Sequence, residues 1–225
     1  MPLQQLDSNL WVESAHLTLL GIHLGTRMTV VRLPDGGLWV HSPIALGEET
    51  RSELDALGPV RHIVCPNMYH HMEAGPMKAL YPEALLHGPK DLARKRPDLS
   101  FDAPLSDEPH PAWQGALQPI TIRGCWLRET VFVHAASSSI VSADLVENFT
   151  QCDHWPTRMY LKLAGIYQQP GWSRLLRILY TDRRAARACI DHILTQDFSR
   201  VLLAHGDIIS THGKEVVEDT FAWLK

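Results

Sequence analysis

Apolar residues fall along this chain in short unbroken runs that alternate with stretches at helical spacing. The segment MTVVRLPDGGLWVHSPI sets two β-branched and aromatic runs on either side of Pro34-Asp35-Gly36-Gly37. Those glycines supply the positive φ of a tight turn, so the segment predicts a β-hairpin. GEETRSELDALG then carries Leu54 and Leu57 on one helical face, acidic residues in its first turn and Gly58 as a stop. VRHIVCP is a short apolar strand ended by Pro66. GPMKALYP predicts a helix with Pro76 near its first turn, EALLHGP a further strand, and KDLARKRPDL a short basic helix.

Residues 101–118 are rich in Pro, Asp and Gln and predict an irregular segment. QPITIRG, ETVFVHA and SSIVSAD return to strand-like runs. From NFTQCDHWPTRMYLKLAGIY to RLLRILYTDRRAARACIDHILTQ the spacing is helical, with Leu175, Leu176, Ile178 and Leu179 gathered on one face. RVLLAHGD reads as a last buried strand and GKEVVEDTFAWLK as a closing helix. This alternation of strands and helices predicts an α/β protein. No repeat, low-complexity run or linker interrupts residues 1–225, which predicts a single domain.

Composition narrows the function classes. A net charge of -4 offers no basic excess to neutralise phosphates, so nucleic acid is not an expected partner. The early apolar stretch LTLLGIHLGTRMTVVRL is broken by His23, Arg27 and two glycines, and does not predict a membrane span or a membrane partner. The first residues lack the basic and apolar regions of a secretory signal. Cys65, Cys125, Cys152 and Cys189 are scattered without C-x-x-C pairing, which predicts reduced thiols and a cytoplasmic setting. Thirteen histidines are a mild surplus that makes a metal or acid–base site worth seeking.

Three apolar strands end in residues that can bind a metal. HIVC leads to His70 and His71, SIVSA to Asp144, and RVLLA to His205. Ligands in open α/β sheets sit outside strand ends, where loops converge on one crevice. Imidazole and carboxylate donors from several loops suit zinc or iron. Each residue alone has a plainer explanation: an adjacent histidine pair is usually exposed, and an aspartate after a strand most often caps a helix or a turn. Three such ends in one chain favour a shared site.

The order of these elements resembles the metallo-β-lactamase superfamily. Its members follow an early strand with H-x-H-x-D-H, a later one with G-D, and end on a histidine in a G-H-G-like turn. CPNMYHHMEAGPMKALYPEALLHGP resembles the first region, IVSADLVENF the second and VLLAHGD the third. RMTVVRLPDGGLWVHSPIAL, KRPDLSFDAPL and ETVFVHAASSSIVSADLVENF resemble more closely an uncharacterised bacterial and plant family, one of the domains of unknown function. The resemblance implies a four-layer αβ/βα sandwich. It also implies a reduced site, because Pro66 and Met68 stand where the first two histidines belong, or Asn67 and Tyr69 in a shifted register. The later G-H-T histidine is missing, with Glu129 or His134 in its vicinity. His71, Asp144 and His205 match the surviving ligands, and His70 replaces the usual aspartate.

The resemblance therefore implies one zinc ion held by His71, Asp144 and His205, with His70 as a further ligand or as acceptor of a proton from the attacking water. Such an ion brings the pKa of bound water toward ~7. The expected activity is hydrolysis of a small ester, thioester, amide or phosphoester, with His70 and Asp144 as the catalytic pair. Two alternatives share the scaffold: a non-catalytic, ligand-binding member that has lost its metal chemistry, and an iron-dependent oxidoreductase. Ser42, after the strand LWVH, is a candidate to support the site. Cys152 and His154 are a weaker candidate pair for a nucleophile and its base. Trp155, Trp172, Tyr160 and Tyr167 fall in the helical segment that would cover the site, as pocket or core aromatics.

Overall fold

The computed structural model describes residues 2–224. The chain opens with β1 (Gln4–Asp7), β2 (Leu10–Ala15), the small hairpin β3 (Thr18–Leu19) and β4 (Ile22–His23), and the pair β5 (Thr26–Arg32) and β6 (Leu38–His41). Next come α1 (Glu48–Leu57), β7 (Val60–Val64), α2 (Ala74–Leu80), β8 (Leu85–Gly88), α3 (Leu92–Lys95) and β9 (Ala103–Pro104). After them lie β10 (Gln118–Thr121), β11 (Thr130–His134), β12 (Ser139–Val141) and α4 (Trp155–Ala164). A 3-10 helix over Arg174–Leu179, α5 (Arg183–Thr195), β13 (Arg200–Leu202) and α6 (Gly213–Thr220) complete the order.

Two sheets dominate. One has seven strands in the order β1-β2-β5-β6-β7-β8-β9, and the other four in the order β10-β11-β12-β13. The first is antiparallel as far as β6 and parallel from β6 to β9, while β12 and β13 run parallel in the second. The β5–β6 hairpin turns through Gly36 at φ 84°, a conformation a side chain would oppose.

Successive residues of a strand face opposite sides, and here both sides are buried. Val30, Ile63, Leu54 of α1, Met77 of α2 and Leu92 of α3 pack into one apolar cluster. Ile140, Val201, Ile190 of α5 and Val217 of α6 form a second on the far side. The strand neighbours Val31, Val64, Val141 and Leu202 meet between the sheets, around Trp39, Trp113 and Phe132. The layers thus run helix, sheet, sheet, helix, and the fold is a four-layer αβ/βα sandwich. Each aliphatic side chain fully withdrawn from water contributes about 1.5–3 kcal/mol, which accounts for the unbroken apolar runs.

Two predicted helices change form. The basic segment after β8 makes a single helical turn, α3, closed at Arg96 before Pro97. The leucine-rich stretch from 174 to 195 is two elements, the 3-10 helix and α5. Trp126 donates its backbone N–H to Leu179 O at 2.9 Å, and Cys125 bridges Tyr180, so neighbouring chain pulls the stretch out of helix. α5 restarts where the Asp182 carboxylate accepts from Ala185 N at 3.0 Å. In consequence Leu175 and Ile178 are exposed, while Leu176 and Leu179 pack against the core.

Candidate metal centre

Four strand ends meet above the inter-sheet core. After β6, Ser42 adopts a left-handed conformation, φ 55°, and its backbone N–H bonds Val64 O at 2.9 Å. That turn presents its hydroxyl 2.8 Å from His70 Nδ1. After β7, the fully buried Asn67 accepts on Oδ1 from the backbone N–H groups of Tyr69 and His70, at 2.8 and 3.0 Å. This side-chain turn sets the direction in which His70 leaves the strand.

Asp144 follows β12. The carboxylate of Glu129 accepts from Ala143 N at 2.7 Å and from Asp144 N at 3.1 Å on both its oxygens. His205 follows β13, and its Nδ1 lies 2.7 Å from Gly25 O. A carbonyl can only accept, so Nδ1 carries the hydrogen and Nε2 is turned inward. Arg27 steadies the same loop, donating to Leu203 O and Gly206 O at 2.7 Å each. Gly206 has φ 91°, and a Cβ there would lie 1.9 Å from Asn148 O, so glycine is required beside the histidine.

These supports bring His70, Asp144 and His205 together. One ligand atom from each lies within 4.8 Å of the other two. His70 Nε2 is 3.3 Å from Asp144 Oδ2, and His205 Nε2 is 3.3 Å from Asp144 Oδ1. Asn67 Nδ2 donates to Asp144 Oδ2 at 2.7 Å. Burial opposes the charge of Asp144, yet His70 and His205 hold it well below its ordinary 3.8. Burial likewise opposes a charged His205, but the bond to Asp144, its charge and that of Glu147 raise it to about 9. Burial, with Asp144 adding to it, pushes Glu129 up to about 8, and burial lifts Glu147 to about 7.

His71 lies apart from this cluster. Its Nδ1 is 3.0 Å from Arg96 Nη1, and its carbonyl accepts from the same guanidinium at 3.1 Å. A guanidinium only donates, so His71 Nδ1 is an acceptor engaged by Arg96. Burial and the cations Lys95 and Arg96 lower the His71 pKa. Of the four ligands expected from the sequence, the structure gathers three and sets His71 against the residue that closes α3.

The other candidates also find places. Glu129 supports the Asp144 backbone, whereas His134 bonds Ser137 Oγ at 2.7 Å. Cys152 Sγ reaches the His154 carbonyl at 3.4 Å, while the His154 ring bonds Thr157 and stacks on His23, so the thiol and imidazole are not paired. Trp172 is buried and Trp155 is 68% exposed. Asn67, Gly25, Arg27 and Glu147 are additional members of the site. Arg27 and Gly25 left a trace in the sequence as interruptions of an apolar stretch and Asn67 as a position in the degenerate motif, whereas Glu147 left none.

Similarity to known proteins bears on the fold. A family model described as a domain of unknown function (DUF4336) matches residues 7–92. No curated protein matches the chain. A metallo-β-lactamase from Pontibacter korlensis superposes with a TM-score of 0.66 at 14% identity, over 99% of this chain and 97% of its own. One from Erythrobacter litoralis, with β-mercaptoethanol in its active site, gives 0.69 at 11% identity over 98% and 96%. The DIM-1 metallo-β-lactamase exposed to ceftazidime gives 0.68 at 10% identity over 99% and 97%. Four layers, converging strand ends and these superpositions agree: the chain has the metallo-β-lactamase fold, and strands β2, β5, β6, β7 and β8 of its first sheet lie in the stretch that matches DUF4336.

Proposed function

We propose that this protein is a metal-dependent hydrolase of a small substrate, with one divalent cation held by His70, Asp144 and His205. A single observation carries the proposal. Both imidazoles are anchored through Nδ1, one by Ser42 Oγ and one by Gly25 O, so both Nε2 atoms face the same carboxylate. Metal-binding histidines are typically oriented through their second nitrogen in this way. Two imidazoles and a carboxylate fit zinc, and iron as the alternative. A cation bound there supplies Lewis acidity toward an ester, thioester, amide or phosphoester and makes water more acidic.

The chain's own groups supply position. Asn67 occupies Asp144 Oδ2 and leaves Oδ1 toward His205. With Nδ1 on Ser42 Oγ and Nε2 toward Asp144, both nitrogens of His70 are engaged, which supports the ligand role over that of an acceptor for the proton of the attacking water. The cysteines Cys65, Cys125, Cys152 and Cys189 are all free thiols, which favours a reducing, cytoplasmic setting. No helix among the described residues is long and apolar enough to cross a membrane.

A second reading rests on the same contacts. Asp144 is already bonded by Asn67 and faced by both histidines, and His205 at about 9 is protonated at neutral pH. Such a network is satisfied without a cation, as a ligand-binding member of the fold would need. Elemental analysis of protein purified without added metal, followed by turnover of a panel of ester, thioester and phosphodiester substrates, separates the two. About one zinc per chain with metal-dependent turnover supports the hydrolase. Iron with visible absorption turns the proposal toward redox chemistry, and protein that neither holds nor binds zinc leaves the second reading.

A further inference from the structure

α4 is apolar on two sides. Thr157, Leu161 and Ala164 are buried, while Trp155, Met159 and Leu163, spaced by four on the opposite side, are 68%, 51% and 66% exposed. An amphipathic helix that covers a core turns polar residues outward, so this outer stripe has no internal purpose. Elements next to α4 carry further exposed apolar residues. α4 contacts β4 and the 3-10 helix over Arg174–Leu179. The β3–β4 turn presents Leu20 at 95% exposure, and the 3-10 helix presents Leu175 and Ile178 at 55% and 80%. Trp126, tied to Leu179 O, is 70% exposed. Scattered single apolar residues are ordinary on a surface, but a contiguous group marks an interaction site.

Charge identifies the partner. Residues 155–187 hold seven Lys and Arg against one Asp, a net of +6 in a chain of -4, so the remainder carries -10. Arg187 pairs with Asp191. Arg158, Lys162, Arg174, Arg177, Arg183 and Arg184 have no carboxylate within ion-pair distance among the described residues. Arg158 and Lys162 stand on α4 beside the apolar stripe. Aliphatic and indole groups accompanied by cations that lack a carboxylate partner are the features that hold a protein in the interface of an anionic bilayer. Lys162 also stacks on Tyr167, and Arg177 and Arg183 on Trp223.

We propose that this face docks on an anionic phospholipid bilayer as a peripheral contact. A second copy across a two-fold axis would set this basic patch against itself, which like charge opposes. The apolar members are mostly aliphatic, which suits acyl chains better than the stacked bases of a nucleic acid. That no helix among the described residues is long and apolar enough to cross a membrane bears on insertion, not on surface docking.

Vesicle sedimentation of the full chain tests the proposal, using phosphatidylcholine with and without phosphatidylserine. Binding is expected to phosphatidylserine vesicles at low salt, with release as salt screens the charges. Each cation near an anionic surface is worth about a fivefold change in affinity, so R158Q/K162Q is expected to bind about thirtyfold more weakly. M159S/L163S keeps the charge and is also expected to lose binding. Met159, Lys162 and Leu163 are exposed and Arg158 is half-buried, donating to Cys152 O at 3.3 Å, so unchanged melting temperatures are the check that both variants fold. No sedimentation of the unmodified chain, or binding by either variant equal to it, overturns the proposal. So does a dimer that M159S/L163S dissolves in a protein that ignores vesicles.

Discussion

Asn67 Nδ2 donates to Asp144 Oδ2 at 2.7 Å while Asn67 Oδ1 accepts the backbone N–H of His70 at 3.0 Å. One buried side chain therefore fixes two candidate ligands that follow strands of two different sheets. Supports of this kind are commonly worth about 10–100-fold in metal affinity. Asn67→Ala is expected to weaken zinc binding by about that factor. Ser42→Ala, which frees the His70 ring, should do the same, with calorimetric titration as the measurement. Unchanged affinity in both variants would remove the supporting role.

His70→Ala, Asp144→Ala and His205→Ala are each expected to lose bound metal, whereas His71→Ala keeps it. The difference follows from where the rings point, toward Asp144 or toward Arg96. Elemental analysis of the four purified variants decides the matter. Loss of metal from His71→Ala with retention in His70→Ala reverses the assignment.

The pH dependence has a definite sign. His205 is raised from 6.5 to about 9, so in the metal-free protein the folded chain keeps a proton that the unfolded chain has released. Its contribution to stability is complete below 6.5 and is lost as pH rises through about 9. Glu147 and Glu129, raised from 4.5 to about 7 and about 8, act in the same direction over lower windows. Asp144 acts oppositely, contributing above 3.8 and losing its contribution on acidification. Melting temperatures of chelator-treated protein should fall between pH 6.5 and 9 more steeply than those of His205→Gln. Zinc affinity should rise about tenfold per pH unit in that range, because binding releases the His205 proton. Parallel melting curves for the two proteins would refute the coupling.

Glu129→Ala leaves the N–H groups of Ala143 and Asp144 unpaired in a site where Glu129 itself is 2% exposed. Unsatisfied buried donors cost about 1–3 kcal/mol each, so a loss near 3 kcal/mol is expected in denaturant titration. A loss under about 0.5 kcal/mol, the usual effect of an inert surface change, would show that Glu129 is dispensable there.

Gly206→Ala puts a methyl group into Asn148 O at a backbone φ of 91°. Strain and overlap together are expected to cost about 3 kcal/mol or more. Because His205 is the preceding residue, zinc affinity should fall with stability, and both can be followed in one set of thermal melts with and without zinc. An alanine variant as stable as the unmodified chain contradicts this geometry.

The sequence by itself determined the layers. Val30-Val31, Ile63-Val64, Ile140-Val141 and Val201-Leu202 are adjacent apolar pairs, and such pairs require strands covered on both faces. It also marked the strand ends that carry His70, Asp144 and His205, because a polar residue just beyond a buried strand is visible locally. Only the tertiary structure decided which of two adjacent histidines enters the site, since Asn67 and Arg96 set their directions and lie outside any periodic pattern. It alone joined Gly25 to His205, 180 positions apart, and broke the leucine-rich helix by pairing Trp126 with Leu179. Periodicity records what each residue buries. Orientation at a site depends on single hydrogen bonds between distant segments, and these leave no period in the sequence.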